Sequence, residues 1–135
     1  MAIRVRVEIR HGDVVITTSA LVNSGYEVDE AELLIPGSLA RRLGLEEVST
    51  EEYRSVGASV STSFLGYVDV RVVEPDRCSE WVRARAVSVP GEPEVLLSDK
   101  LIDALSIEPI RPGAGLWRFS GERALRRSVK PEFWI

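Results

Sequence analysis

The feature that most constrains the fold of this 135-residue chain is an internal repeat. Residues 32–45 align with residues 94–107, and their apolar positions coincide except among the small residues on the helix side. Each copy starts with a glutamate and three apolar residues, a run typical of a strand that is buried on both faces. A short helix follows, opened by Pro36 in the first copy and capped by Ser98 in the second. We therefore expect two similar halves, each with a hairpin, a loop, a buried strand and a short helix.

Alternating apolar and polar residues predict further strands around these two units. Residues 3–9 alternate strictly, the triplet from His11 to Asp13 is a turn signal, and the next residues are rich in β-branched side chains. The predicted strands cover residues 3–9, 14–22, 33–35, 51–56, 60–65, 67–72, 81–89, 95–97 and 116–119. With many strands and only two short helices, the sequence predicts a mainly β domain.

The composition suits one domain, since 44% of the residues are hydrophobic. We expect residues 1–120 to form it, and the basic residues 121–135 to be a tail of the same domain or part of a dimer interface. Phe133, Trp134 and Ile135 are expected to anchor this tail.

The net charge of −4 argues against non-specific nucleic-acid binding, and no apolar run reaches membrane-spanning length. We expect a cytoplasmic protein with neither nucleic acid nor membrane as a partner.

Cys78 and His11 are the only cysteine and histidine. Together they are too few for a four-ligand zinc site without carboxylates or a second chain, so we expect no metal and no cofactor. Cys78 follows a polar turn and His11 lies in the predicted hairpin turn. We interpret the histidine as a solvated turn residue and not as the partner of a nucleophilic cysteine.

Four segments form a recognisable series along the chain. Residues 20–25 read Ala-Leu-Val-Asn-Ser-Gly, and residues 35–45 read Ile-Pro-Gly-Ser-Leu-Ala-Arg-Arg-Leu-Gly-Leu. Residues 53–64 form a polar hairpin, and residues 95–98 are a second apolar strand that ends in Ser98. The series resembles the retropepsin-like aspartic peptidases, in particular microbial single-domain members. Their motifs are Ala-Leu-Val-Asp-Thr/Ser-Gly, Ile-Pro-x-x-Leu-Ala-x-x-Leu-Gly-Leu, a flap hairpin, and a second strand that ends in glycine.

This resemblance covers about residues 3–119 and implies both a fold and a function. The implied fold is a retropepsin-like closed β-barrel of six or seven strands with two short helices. In that family each subunit of a symmetric homodimer supplies one aspartate, and the two carboxyls share a proton because both cannot easily ionise. The resemblance implies a catalytic position at Asn23, a Ser24 hydroxyl that contacts the partner's loop, and a Gly25 that permits a tight turn. It also implies a peptide or protein ligand, held extended in the cleft between the subunits. The implied substrate-binding residues are Glu27, Asp29, Val56, Gly57 and Ala58.

Asn23 departs from the family motif. An amide resembles a carboxyl in shape, but it has no proton to share and no charge with which to activate water. We therefore expect impaired catalysis in a chain that keeps the fold and the dimer. Asn23 could be natural, could be an engineered replacement, or could deamidate to aspartate beside Ser24 and Gly25.

Three functions remain open on this basis. The first is a peptide-binding domain with impaired catalysis, and the second is an active aspartic endopeptidase whose aspartate was replaced or forms by deamidation. The third is a structural or protein-interaction domain with a vestigial cleft. An open cleft beneath the hairpin would favour the first two, and a filled cleft the third. The acidic residues Glu27, Asp29, Glu30 and Glu32 suit either a rim for a cationic or extended peptide or a solvated loop, and we favour the solvated loop.

Overall fold

The computed structural model describes residues 2–55 and 58–135. The strands are β1 (Arg4–His11), β2 (Val14–Val22), β3 (Glu32–Leu34), β4 (Ser49–Ser55), β5 (Ala58–Val72), β6 (Val82–Ser88), β7 (Val95–Leu97), β8 (Ile107–Arg111), β9 (Leu116–Phe119) and β10 (Arg126–Arg127). The helices are α1 (Gly37–Arg42), α2 (Asp99–Ala104) and a 3-10 turn, Pro112–Ala114. None of the helices in these residues is long and apolar enough to cross a membrane.

Six strands close into a barrel in the order β1-β2-β7-β3-β6-β5, because β5 also pairs with β1. The seventh strand of this sheet, β4, pairs with the first part of β5 and forms a hairpin arm. A second, three-stranded sheet has the order β10-β9-β8. The prediction of a mainly β, closed barrel with two short helices is confirmed.

The two buried strands β3 and β7 lie side by side at the centre of the sheet. They run antiparallel, with Leu33 opposite Leu97 and Leu34 opposite Leu96. Each also runs parallel to a strand of the other half, since β2 pairs with β7 and β3 pairs with β6. The repeat inferred from the sequence is thus a repeat in the structure.

The core is built from the inward-facing residues of the barrel and the apolar faces of both helices. Leu39 of α1 and Leu101 of α2 are completely buried, and they occupy equivalent positions of the repeat. Each such leucine stabilises the fold by about 1.5–3 kcal/mol. Trp117 and Phe119 of β9 join the same core, with their rings edge to face at 5.0 Å. The second sheet therefore belongs to the same packed unit as the barrel.

Three details differ from the predictions. Residues 60–65 and 67–72, predicted as two strands, form the single strand β5, because the chain makes a bulge at Gly66 (φ +93°) and not a turn. Strands β8 and β10 were not predicted, since Pro109 breaks the pattern of the first and the second has two residues. His11 is half-buried, and its Nδ1 donates a hydrogen bond to the Leu43 carbonyl at 2.8 Å, so its interpretation as a solvated residue was wrong.

The C-terminal segment, residues 128–134, lies along the barrel. Its backbone amides donate to the carbonyl of Arg4 and to the hydroxyl of Ser19. The indole Nε1 of Trp134 donates to the Thr18 hydroxyl at 2.9 Å, and the ring packs against the core. Of the three terminal residues expected to anchor the chain, Trp134 does so, whereas its two neighbours are exposed.

Candidate functional site

A groove of about 740 Å³ opens between the β4–β5 hairpin and the loop that joins β2 to β3. Its floor is apolar and comes from the buried strands and from β6 and the residue after it. The described lining residues are Asn23, Gly25, Tyr26, Glu27, Val28, Asp29, Glu30, Glu32, Leu34, Glu51, Glu52, Thr62, Arg85, Val87, Val89 and Leu96. Val89 and Leu96 are partly exposed, which makes them accessible to a ligand.

Asn23 follows directly after β2 and starts a tight turn in the groove wall. Its side-chain Oδ1 accepts a hydrogen bond from the Gly25 amide at 3.2 Å, and its backbone carbonyl accepts one from the Tyr26 amide at 3.0 Å. Asparagine and aspartate both favour such turns, because either side chain can accept from the backbone two residues on. A Cβ on Gly25 would lie 3.4 Å from that Oδ1, an ordinary van der Waals contact. The turn is therefore compatible with either an amide or a carboxylate at position 23.

The floor of the groove carries a charged network centred on Glu32 and Arg85. These residues are directly opposite each other on β3 and β6, and Arg85 Nη1 lies 2.9 Å from Glu32 Oε1. The other Glu32 oxygen accepts from the Tyr26 hydroxyl, and the second Arg85 nitrogen contacts Glu51 of the hairpin. Glu32 is buried, so its interpretation as part of a solvated loop was wrong.

The network also determines the protonation of its arginine. Burial acts to lower the pKa of Arg85, but the carboxylates of Glu51 and Glu32 outweigh it and hold that pKa above its usual value. The guanidinium lies over the Phe64 ring, 4.2 Å from its centroid. Arg85 is therefore a permanent cation that joins the base of the hairpin to the barrel.

The rim of the groove is acidic. Glu30 accepts a hydrogen bond from the Tyr67 hydroxyl at 2.9 Å, and this bond raises the pKa of Tyr67. Glu27, Asp29 and Glu52 are exposed and form no ion pair with residues 2–52 or 61–135, the ranges whose side chains the structure describes. In the same part of the chain, no group of three or more His, Cys, Asp or Glu side chains is arranged to hold a metal ion.

Ser98 and Asp99 link β3 and the loop before it to α2. The Ser98 hydroxyl accepts from the Glu32 amide at 3.1 Å and from the Leu101 amide at 3.3 Å, so it caps α2 as predicted. The next residue, Asp99, donates its backbone N–H to the Tyr26 carbonyl at 2.8 Å. The serine that stands where the family motif has glycine thus connects β3 to α2.

The residues predicted for the site fall into three groups. Asn23, Gly25, Glu27 and Asp29 line the groove, and Ser24 is exposed beside it. Val56 and Gly57 lie outside the described residues, as does the side chain of Ala58, whose backbone begins β5. Sequence reasoning missed Arg85 and gave no role to Tyr26. The sequence signal that could have indicated this charged network was the repeat alignment. In it Glu32 and Glu94 occupy the same position, which is buried in both halves.

No protein-family model and no curated protein matches the sequence. The structure is similar to the crystal structure of the retroviral protease-like domain of Ddi1 from Leishmania major, with a TM-score of 0.54 and 10% sequence identity. The match covers 96% of this chain and 97% of that chain. At this level of identity the likeness shows the fold alone, and the chain has a retropepsin-like fold.

Proposed function

We propose that this chain is a retropepsin-like domain that binds extended peptides in its groove without hydrolysing them. The observation that carries the proposal is the open groove beneath the hairpin, with Asn23 in its wall. A vestigial cleft would be filled by side chains, whereas this groove has an apolar floor that includes the partly exposed Val89 and Leu96. Accessible apolar surface of this kind is typical of binding sites.

The chemistry at position 23 supports binding over catalysis. The Asn23 amide can donate hydrogen bonds to a peptide carbonyl, but it cannot accept a proton from water. Glu32 is a poor substitute as a base, because Tyr26 and Arg85 occupy both of its oxygens. General acid–base catalysis contributes about 10²–10⁴-fold to a rate, so its loss would reduce hydrolysis by at least that factor.

The proposal includes a homodimer in which two Asn23 side chains approach a twofold axis. Each chain supplies one Asn-Ser-Gly triplet, which in the family is half of a site. Ser24 is exposed beside the groove, where a second subunit could contact it.

The test combines peptide binding with the Asn23→Asp variant. We expect the unaltered protein to bind extended peptides, measured by fluorescence anisotropy, and to leave them intact by mass spectrometry. The variant should gain peptidase activity at acid pH, because the Gly25 amide can also donate to a carboxylate. Cleavage by protein whose Asn23 is shown by mass spectrometry to be intact would overturn the proposal. Cleavage that tracks a deamidated fraction would support the alternative of an active endopeptidase.

The same variant tests the dimer. Two facing carboxyls would share a proton at low pH, and association would oppose the loss of that proton as pH rises through the raised pKa. Sedimentation between about pH 4 and pH 8 should therefore show a dimer that weakens with rising pH in the variant but not in the unaltered protein. An identical pH response in both proteins would mean that position 23 does not face its twin.

A further inference from the structure

The groove concentrates the negative charge of the molecule. Its described lining includes six carboxylates and one guanidinium, a net charge of −5, whereas the whole chain carries −4. The remainder of the chain therefore has a net charge of +1. The acidity of this protein is a property of the groove and not of its surface in general.

These carboxylates differ in their availability to a ligand. Glu32 and Glu51 share the single positive charge of Arg85, and Glu30 accepts from Tyr67. The remaining three, Glu27, Asp29 and Glu52, are exposed and form no ion pair within the described part of the chain. Glu27 and Asp29 lie on the loop side and Glu52 on the hairpin side, so uncompensated charge borders the groove on both sides.

The apolar floor lies between these two acidic borders. Leu34, Val87, Val89 and Leu96 form it, and the last two are partly exposed. In an extended peptide, successive side chains point to opposite faces. A peptide in this groove can therefore place alternate apolar side chains on the floor while the intervening residues reach the carboxylates at the rim.

We infer that the ligand is a cationic, extended peptide in which lysine or arginine alternates with apolar residues. This inference rests on the proposed function, and it adds the charge of the ligand to it. A cationic peptide gains from the unpaired carboxylates, while an anionic one meets repulsion from the same groups.

The experiment uses the full chain and three capped peptides of about eight residues, which span roughly 26 Å when extended. In all three peptides every second residue is apolar, either alanine or valine. The residues between them are all lysine in the first peptide, all glutamine in the second and all glutamate in the third. By fluorescence anisotropy at low salt, we expect the lysine peptide to bind about tenfold more tightly than the glutamine peptide, as three exposed ion pairs of ordinary strength would give. Added salt should reduce this difference, because exposed charges are screened.

Two matched triple variants assign the effect to the groove. Glu27→Gln, Asp29→Asn and Glu52→Gln together should remove the preference for lysine. The control, Asp13→Asn, Glu46→Gln and Glu132→Gln, changes the net charge equally at exposed positions that do not line the groove, and it should keep the preference. Equal loss in both variants would overturn the assignment to the groove.

The outcomes distinguish a failure of this inference from a failure of the proposed function. Equal binding of the lysine and glutamine peptides, or tighter binding of the glutamate peptide, would overturn the inference while peptide binding stands. If none of the three peptides binds, the proposed function itself fails.

Discussion

In the first half of the chain, nine residues join β2 to the buried strand β3, and this loop forms one wall of the groove. In the second half, six residues join β6 to β7, and the C-terminal segment lies against them, with the Trp134 amide donating to the Pro93 carbonyl at 2.7 Å. The buried strand and the helix are alike in both halves. The difference lies in the loop ahead of the buried strand. The first-half loop forms a wall of the groove, whereas the second-half loop contributes its first residue, Val89, to the groove floor and is otherwise attached to the C-terminal segment.

The buried glutamates show the same contrast. Glu32 pairs with Arg85 in the groove, where Arg85 has a second carboxylate in Glu51. Glu94 pairs with Arg4, which forms no other ion pair within the described residues. One repeated position thus supports an accessible network in the first half and a single ion pair in the second.

The largest expected effect comes from neutralising each glutamate in turn. Glu94→Gln should lower the free energy of unfolding by about 3 kcal/mol, because the half-buried Arg4 would lose its one ion pair within the described residues and keep at most an amide oxygen as an acceptor. Glu32→Gln should cost only about 1 kcal/mol, because Arg85 keeps Glu51 and the new amide oxygen can still accept from Tyr26. Urea denaturation of both variants measures the difference. Equal losses would show that Glu51 does not compensate for Glu32.

A second prediction concerns stability at acid pH, to which a charged cluster around Arg126 in the second half contributes. Arg126 contacts Glu74, Asp76 and Glu122, and it lowers the pKa of Glu122 to about 2 from an ordinary value of 4.5. A carboxyl whose pKa is lower in the folded than in the unfolded chain stabilises the fold at pH values above its unfolded pKa. The contribution of Glu122 is therefore present above pH 4.5 and is lost as pH falls towards 2.

Glu122→Gln tests this contribution. We expect it to cost about 2 kcal/mol at neutral pH, as loss of hydrogen bonds to a charged group does, and to make the stability less dependent on pH in the acid window. Thermal unfolding followed from neutral pH to about pH 2 measures both effects. A variant with the same acid dependence as the parent would place the acid-sensitive group elsewhere.

The smallest effect concerns the residues after the two helices. Gly44 has φ +73° after α1, and its counterpart after α2 is Ser106, with φ +62°. Because a left-handed backbone disfavours residues with a Cβ, Ser106→Gly should stabilise the protein by about 1 kcal/mol, and Gly44→Ser should destabilise it by a similar amount. Thermal denaturation of the two variants checks the opposite signs. The same sign in both would mean that side-chain contacts outweigh the backbone preference.

Patterns that are local in sequence predicted most of the fold. Residues 95–97 and 116–119 were predicted with the bounds that β7 and β9 have, because short apolar runs and alternation depend on neighbouring residues. The cap at Ser98 was also predicted from local chemistry. The bulge at Gly66 was missed, since a glycine between two strand patterns equally indicates a turn.

The groove network was beyond local reasoning. Glu32 and Arg85 are 53 positions apart, and they meet because β3 lies parallel to β6, which no pattern within either strand specifies. The Glu30–Tyr67 hydrogen bond spans 37 positions and is equally invisible in the sequence. The position of the Asn-Ser-Gly turn in the groove wall, in contrast, follows directly from the motif after β2.

The crossed pairing of the buried strands has a consequence for the origin and folding of such a chain. β3 has only strands of the second half as neighbours, and β7 pairs with β2 and β3 of the first half. A half-length ancestor with one unit would therefore have needed another copy of itself before its central strand had any hydrogen-bond partner. In the present chain neither half can complete its sheet during synthesis before the other emerges. These long-range pairings favour slow folding, with assembly of the two halves as a late, concerted step.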